Sequence, residues 1–277
     1  MDLLFDQPSA LLLAHPGHEL LLHHVMEQAR PVVFVLTDGS GGHAPDRRAF
    51  SRRLIEAAGA ETGSVFGPAP DRAWYRAILA GDLRLFLEAR AAIAGACLGR
   101  GVRRLVADPV ELFNPMHDLC AALAAAVAVD LRAAGQDDVR VYDFSIEAQR
   151  SARSDDLAMA LEPAALARKI AAAKTYAPLW NEIAPRIGVP AALTTERLRR
   201  TDGLELWPER PAEEPFYEAF GRRRVAEGNY RDLITYAGHV RPIAAALGAA
   251  SPVPGDTLCW PPQSSPYEMN VPISATA

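Results

Sequence analysis

Short apolar runs alternate with helical stretches along the first 150 residues of the chain. The runs at 10–14 and 31–37 have the length and composition of buried strands, and the segment 18–29 between them has a helical pattern. Further strands are predicted at 64–66, 103–107 and 139–146, and further helices at 46–58, 82–98 and 117–133. Because strands separated by helices form parallel βαβ units, we expect an α/β fold, with a Rossmann-like, mostly parallel sheet and helices on both faces.

The pattern changes after residue 150. We expect helices at 163–176 and 215–247, the second broken near Gly228, and irregular structure at 180–211 and 251–277. The sequence therefore predicts a Rossmann-like core domain at 1–150 and a helical cap with an irregular C-terminal tail at 151–277.

The composition of the 277-residue chain argues against several classes of protein. Its net charge of −5 gives no reason to expect nucleic acid as a partner. Three cysteines without a CxxC pair argue against a disulfide framework and against a thiolate zinc site. Neither a signal peptide nor an apolar segment of membrane-spanning length stands out, so we expect a cytoplasmic protein that does not enter a membrane. The sequence leaves open whether the protein forms a homo-oligomer.

Histidines follow two of the predicted strands. His15 and His18 flank a Pro-Gly pair directly after the first apolar run, and His117 lies in the segment after the strand at 103–107. Because the carboxyl ends of parallel strands meet at one edge of a sheet, we expect the three side chains to lie together. Three imidazoles can hold a zinc ion and leave one position for water, which is typical of hydrolytic sites. The alternative is that His18 and His117 only cap the helices that follow them.

Four segments of the chain match motifs of a known family. They are Ala14-His15-Pro16-Gly17-His18-Glu19, Thr37-Asp38-Gly39, the arginine- and glutamate-containing helix at 52–59, and Asn114-Pro115-Met116-His117. In these segments the chain resembles the LmbE-like family, also called the PIG-L deacetylases, over its first 150 residues. The resemblance implies a Rossmann-like core and a zinc-dependent hydrolase that removes an acetyl group from nitrogen on a small, sugar-like substrate.

The resemblance also assigns roles to individual residues. His15, His18 and His117 fall on the three positions that hold zinc in the family, although position 18 carries an aspartate there. The general base of the family is an aspartate, and Gly17 stands in its place, so this chain needs another proton acceptor. Asn114 replaces a histidine on the oxyanion side and can still donate a hydrogen bond to a developing oxyanion.

Two carboxylates are candidates for the missing base. Glu111 lies on the same segment as His117, and Asp38 lies at the end of the second strand. We rank both first because loops at strand ends face the crevice of such a fold. Glu19 and Asp118 rank lower because they are placed to cap helix N-termini.

The remaining candidates concern the substrate. His43 in a glycine-rich loop and His239 in the late helical region are candidates for substrate contacts. Arg52 and Arg53 could hold a phosphate group of a sugar conjugate, because the guanidinium fork matches phosphate geometry. The alternative for the two arginines is a solvated helix face.

Two other functions stay open from the sequence. The chain could have kept the pocket of the fold and lost hydrolysis, which would leave a small-molecule- or metal-binding protein. It could also be a metalloenzyme of different chemistry on the same scaffold, because three histidines can serve several metals.

Overall fold

A sheet of seven strands forms the centre of the part of the chain that the computed structural model describes: residues 6–41, 46–146, 153, 156–187, 193–201 and 207–250. The strands are β1 (Ser9–Leu13), β2 (Val32–Thr37), β3 (Glu61–Ala69), β4 (Arg104–Ala107), β5 (Arg140–Asp143), β6 (Leu157–Ala160) and β7 (Thr195–Thr201). Their order in the sheet is β3-β2-β1-β4-β5-β7-β6. Strands β1 to β5 are parallel, and β7 is antiparallel to both of its neighbours. The predicted Rossmann-like, mostly parallel sheet is confirmed.

Helices cover both faces of this sheet. They are α1 (His23–Ala29), α2 (Arg48–Ala57), α3 (Asp71–Ala80), α4 (Arg84–Arg100), α5 (Pro115–Ala133), α6 (Pro163–Thr175), α7 (Trp180–Ile187), α8 (Phe216–Ala226) and α9 (Arg241–Ala249). Leu12 of β1 packs in an apolar cluster with residues of α3, α4, α5 and α9. Its neighbours Leu11 and Leu13 pack in a second cluster with residues of α1, α2 and α6. Because successive strand residues point to opposite faces, β1 is apolar throughout and buried on both sides.

The second half of the chain departs from the sequence prediction. Strands β6 and β7 extend the sheet that the first half begins, so the cap expected at 151–277 contributes strands as well as helices. The expectation of irregular structure at 180–211 is wrong for α7 and β7. Strand β7 buries the side chains of Glu196 and Leu198 on either side of the exposed Arg197. This alternation with polar residues hides a strand from a search for apolar runs. The domain boundary near residue 150 stays a prediction.

Short turns of other helix types complete the structure. A 3-10 turn, His18–Leu22, precedes α1, and a π-helical turn, Tyr236–Val240, precedes α9. None of the helices in the described part of the chain combines the length and the apolar character needed to cross a membrane.

The order of the strands decides where the site lies. Strands β1 and β4 are neighbours in register, with Leu12 paired to Ala107, so the loops that follow them leave the sheet side by side. The backbone N–H of Asp108 donates to Leu12 O at 3.2 Å, which extends this pairing by one residue past the end of β4.

Candidate metal centre

The loop after β1 is held in a tight turn by a buried carboxylate. Gly17 adopts a φ of 114°, and its backbone N–H donates to Oε2 of Glu19 at 2.7 Å. The Ser51 hydroxyl on α2 donates to Oε1 of the same carboxylate and lies 2.8 Å from the hydroxyl of Tyr176. Burial raises the pKa of Glu19, although these hydrogen bonds oppose the shift. The turn that carries His18 is therefore fixed to α2 and to the end of α6.

The three predicted imidazoles lie together at the carboxyl ends of the neighbouring strands β1 and β4. The ring centroids of His15 and His18 are 5.4 Å apart, those of His15 and His117 5.2 Å, and those of His18 and His117 4.7 Å. His15 and His117 are buried, and His18 is partly buried. His117 reaches the cluster because α5 begins just before it, with Asn114 as N-cap. Their role as metal ligands stays a prediction.

A second carboxylate orients His15. Nδ1 of His15 lies 3.0 Å from Oδ1 of Asp71 and 2.9 Å from the hydroxyl oxygen of Thr37. Oδ2 of Asp71 accepts a hydrogen bond from the backbone N–H of Gly41 at 2.9 Å. Burial alone would raise the pKa of Asp71, but the hydrogen bonds and the charge of His15 outweigh it and lower the pKa to about 2. An ionised carboxylate only accepts, so Nδ1 of His15 is the donor in this contact, and Nε2 is the ring nitrogen that faces away from Asp71.

The sequence analysis missed Asp108. Its carboxylate is fully buried, and Oδ2 accepts a hydrogen bond from the backbone N–H of Ala14 at 2.8 Å. The same oxygen lies 2.8 Å from Nδ1 of His18. The available signal was position, because Asp108 follows β4 directly, as the loop with His15 follows β1. Burial raises the pKa of Asp108 to about 6, with His117 and the Ala14 amide opposing the shift.

The donor atoms of this cluster fit a divalent metal ion. Among the described residues, the buried atoms His15 Nε2, His117 Nδ1 and Asp108 Oδ1 have no hydrogen-bond partner. Ligand atoms of His18, Asp108 and His117 all lie within 4.8 Å of one another. Burial, with the charge of His18 as second cause, lowers the pKa of His117 well below its ordinary value, so its ring is neutral. Neutral imidazoles with a carboxylate are a donor set that zinc takes.

The side-chain oxygen of Asn114, the N-cap of the helix that carries His117, is already engaged in hydrogen bonds. Its Oδ1 accepts a hydrogen bond from the backbone N–H of Met116 at 2.8 Å, which caps α5. The same oxygen accepts from the hydroxyl of Tyr75 at 3.1 Å. Nδ2 is therefore the side-chain atom with which Asn114 could donate to a substrate oxygen, which is the oxyanion contact that the sequence analysis predicts.

The two predicted bases take part in the structure of their loops. Asp38 is half-buried, and its Oδ1 accepts hydrogen bonds from the backbone N–H groups of Ser40 at 2.9 Å and Asp71 at 3.3 Å. Oε1 of Glu111 accepts from the backbone N–H of Ile146 at 3.1 Å. Asp38 is thus bonded to the backbone of the residue whose side chain orients His15, whereas the Glu111 contact leads to the segment after β5.

The predicted substrate residues occupy different places. Arg52 and Arg53 are exposed on α2, with guanidinium carbons 4.9 Å from the ring centroids of Phe66 and Phe50, respectively. His239 lies in the π-helical turn, where its Nδ1 accepts from the backbone N–H of Thr235 at 3.0 Å. His43 lies outside the described residues. Their contact with a substrate stays a prediction, and for the arginines the solvated helix face agrees with the exposure.

The space next to Gly17 is filled by apolar side chains. A Cβ atom added at this position would lie 2.2 Å from Cδ1 of Leu179 and 3.7 Å from the ring of Tyr176. The positive φ of Gly17 is a conformation that other residues adopt only under strain. An aspartate at this position, where the resemblance would place one, would therefore require Leu179 to move and the backbone to hold a strained conformation.

Comparisons with known proteins found similar solved structures, of which two are described here. No known protein family matches the sequence, and no curated protein matches it. One solved structure is a deacetylase–bog complex from the biosynthesis pathway of teicoplanin, with 15% sequence identity and a TM-score of 0.43. The other is the zinc-inhibited form of teicoplanin deacetylase Orf2, with 12% identity and a TM-score of 0.40. Each match covers 70% of this chain and 99% of the other chain.

Proposed function

We propose that this protein is a zinc-dependent hydrolase that removes an acyl group from nitrogen on a small, sugar-like substrate. The observation that carries the proposal is the cluster of buried imidazoles at the ends of β1 and β4, in which His15 Nε2 and His117 Nδ1 have no hydrogen-bond partner among the described residues. Buried ring nitrogens without partners are costly unless a cation binds them. The likeness of the surrounding segments to motifs of the LmbE-like deacetylases supports the same reaction.

We assign His15, His18 and His117 as the residues that hold zinc. Zinc, when bound, supplies Lewis acidity, which polarises an amide carbonyl and makes water a stronger nucleophile. Asp71 fixes the ring of His15 so that Nε2 faces away from the carboxylate with its lone pair. Burial lowers the pKa of His117 and so favours its neutral ring, and zinc can bind a neutral ring without displacing a proton.

Asn114 and a carboxylate complete the proposed machinery. Nδ2 of Asn114 donates to the oxygen that becomes negative when water attacks the amide carbon. Asp38 and Glu111 are the candidate proton acceptors, and we rank Asp38 first because it is bonded to the backbone of Asp71. The acceptor takes a proton from the attacking water and returns it to the leaving nitrogen.

The proton acceptor can be tested with the double variant D38N/E111Q. Loss of a general base typically costs about 10²- to 10⁴-fold in turnover. We expect a loss in this range with the metal content unchanged, and each single variant identifies the residue responsible. Turnover equal to that of the wild type in the double variant would reject both residues.

The proposed function is tested first by the metal content of the purified protein. We expect about one zinc ion per chain in the wild type, as a single hydrolytic site requires, and none in the variant H15A/H117A. His24→Ala is the matched control, because its ring lies on α1 and its side chain contacts Glu27. A zinc-loaded wild type is then tested against N-acetylated amino sugars by release of acetate. A wild type that takes up no zinc, even after incubation with the ion, would overturn the proposal.

A second candidate function is favoured by the surroundings of Gly17. Leu179 and Tyr176 lie where the resemblance would place the side chain of the general base. A protein that binds a sugar or a metal without hydrolysing a substrate does not need that base. For such a protein we expect stoichiometric zinc and no acetate release from any N-acetylated sugar. Acetate release that is lost in H15A/H117A would exclude this second function.

A further inference from the structure

One oxygen of the buried Asp108 carboxylate has no hydrogen-bond partner in the part of the chain that the structure describes. Oδ2 accepts from the backbone N–H of Ala14 and lies against Nδ1 of His18, both at 2.8 Å. Oδ1 is buried and has no hydrogen-bond partner among the described residues. The side chain is 0% exposed, so bulk water does not satisfy this oxygen. An ionised oxygen in such surroundings is costly unless it binds a cation.

In Asp71, the other aspartate of the cluster, both carboxylate oxygens have partners. Each of the two aspartates lies within 3.0 Å of the Nδ1 atom of one imidazole, Asp71 with His15 and Asp108 with His18. The second oxygen of Asp71 accepts from the backbone N–H of Gly41, which completes its hydrogen bonding. Within the described ranges, the second oxygen of Asp108 has no equivalent contact. Orienting a histidine therefore accounts for Asp71 but not for Asp108.

We propose that Asp108 is itself a ligand of the zinc ion, through Oδ1. The inference rests on the proposed function, because it concerns the same centre. Asp108, His18 and His117 each offer a ligand atom, and these three atoms lie within 4.8 Å of one another, so the three residues form one group at the ends of β1 and β4. Together with the three imidazoles of the proposed function, Asp108 would give the ion four protein ligands, so water would enter as a fifth, a coordination number that hydrolytic zinc sites reach.

This assignment also accounts for the charge of the centre. The resemblance puts an aspartate ligand at position 18, where this chain has a neutral imidazole. Asp108 returns one negative charge to the ligand set from the end of the neighbouring strand β4, beside the loop that lost it.

The variants D108N and D71N make a matched pair for the test. Zinc affinity is measured by competition with a chromophoric chelator, and coordination by the visible absorption of the Co²⁺-loaded protein. D71N removes an orienting partner only, so we expect a loss of about 10- to 100-fold with the Co²⁺ spectrum retained. We expect D108N to lose more affinity than D71N and to change the Co²⁺ spectrum, because a ligand is removed. Equal losses in the two variants, with the same spectrum, would overturn the inference.

The folding of D108N is checked separately by thermal unfolding of the metal-free protein. The amide keeps an oxygen that can accept from Ala14 N–H and removes a buried charge, so we expect a midpoint no lower than that of the wild type. Should this variant fail to fold, a crystal structure of the zinc-loaded wild type decides the question. We expect Oδ1 of Asp108 at about 2.0–2.2 Å from zinc, and an oxygen outside the coordination distance would overturn the inference.

The two proposals fail in different ways. A wild type that binds neither Zn²⁺ nor Co²⁺ overturns the proposed function and this inference with it. The role of Asp108 alone is overturned by a different result. In that case the wild type binds zinc, H15A/H117A does not, and D108N loses no more zinc affinity than D71N.

Discussion

The ammonium group of Lys169 lies 2.7 Å from the carboxylate of Glu196, and both side chains are buried. Lys169 belongs to α6 and Glu196 to β7, so the ion pair joins two elements of the second half of the chain. Lys169 also donates to the carbonyl oxygen of Leu21, and Glu196 accepts from the backbone N–H of His24 at 2.9 Å. Both partners thus hold the turn and the helix that follow the first two histidines of the site.

Removing one partner of this ion pair leaves the other charge buried and unpaired. We therefore expect Lys169→Met to lower the free energy of unfolding by about 3–5 kcal/mol, measured by urea denaturation. The neighbouring Arg168→Ala is the control, because Arg168 pairs with Glu27 at the exposed surface and its loss should change stability little. If the two variants unfolded at the same urea concentration, the buried pair would contribute no more to stability than the surface pair does.

The surface pair of Arg168 and Glu27 predicts a pH dependence. Hydrogen bonds from Arg168 lower the pKa of Glu27 below its ordinary value of 4.5. A carboxyl group whose pKa is lower in the folded state contributes stability above its ordinary pKa and loses that contribution as the pH falls further. We expect the small stability difference between wild type and Arg168→Ala to be constant from about pH 7 to about pH 5 and to shrink towards about pH 3. Urea denaturation across this range measures it, and a difference that grows on acidification would contradict the assignment.

The elements that surround the histidines could be predicted because their apolar pattern is local. The continuous apolar runs of β1 and β2, each followed by glycine or proline, mark buried parallel strands without further information. Helix α3 and strand β7 were not predicted. Helix α3 begins at Asp71 directly after a proline, and β7 alternates polar residues with apolar ones, so neither has a continuous apolar run to mark it.

That the three histidines lie together could be predicted for the same reason, and their role as metal ligands stays a prediction. His15, His18 and His117 are recognised from the strand ends that carry them. The two aspartates of the cluster depend on contacts that the sequence does not display, since Ala14 and Asp108 are 94 residues apart. Which carboxylate meets which imidazole is decided by the register of β1 against β4 and by the position of α3.

Gly17 is the position where the resemblance and the structure disagree most. We expect Gly17→Asp to destabilise the fold by at least about 1–3 kcal/mol, because φ is 114° and the Cβ would meet Leu179, and to add no hydrolytic activity. Urea denaturation and acetate release are the measurements. Gly41→Ala is the control, because no atom lies within 4 Å of a Cβ at that position. A Gly17→Asp variant that is stable and more active than the wild type would show that Leu179 yields readily.

Asn114 combines a structural role and a proposed chemical role in one side chain, and two substitutions separate them. Oδ1 caps α5 by accepting from Met116 N–H, whereas Nδ2 is the proposed donor to the oxyanion. Asn114→Asp keeps an oxygen for the cap and removes the donor, so we expect stability close to that of the wild type and a loss of about 10²- to 10³-fold in turnover. Asn114→Ala removes both and should also lower the free energy of unfolding by about 0.5–2 kcal/mol. Urea denaturation and steady-state kinetics on a substrate found in the screen provide the two measurements. Full turnover in Asn114→Asp would mean that the residue caps the helix and takes no part in the reaction.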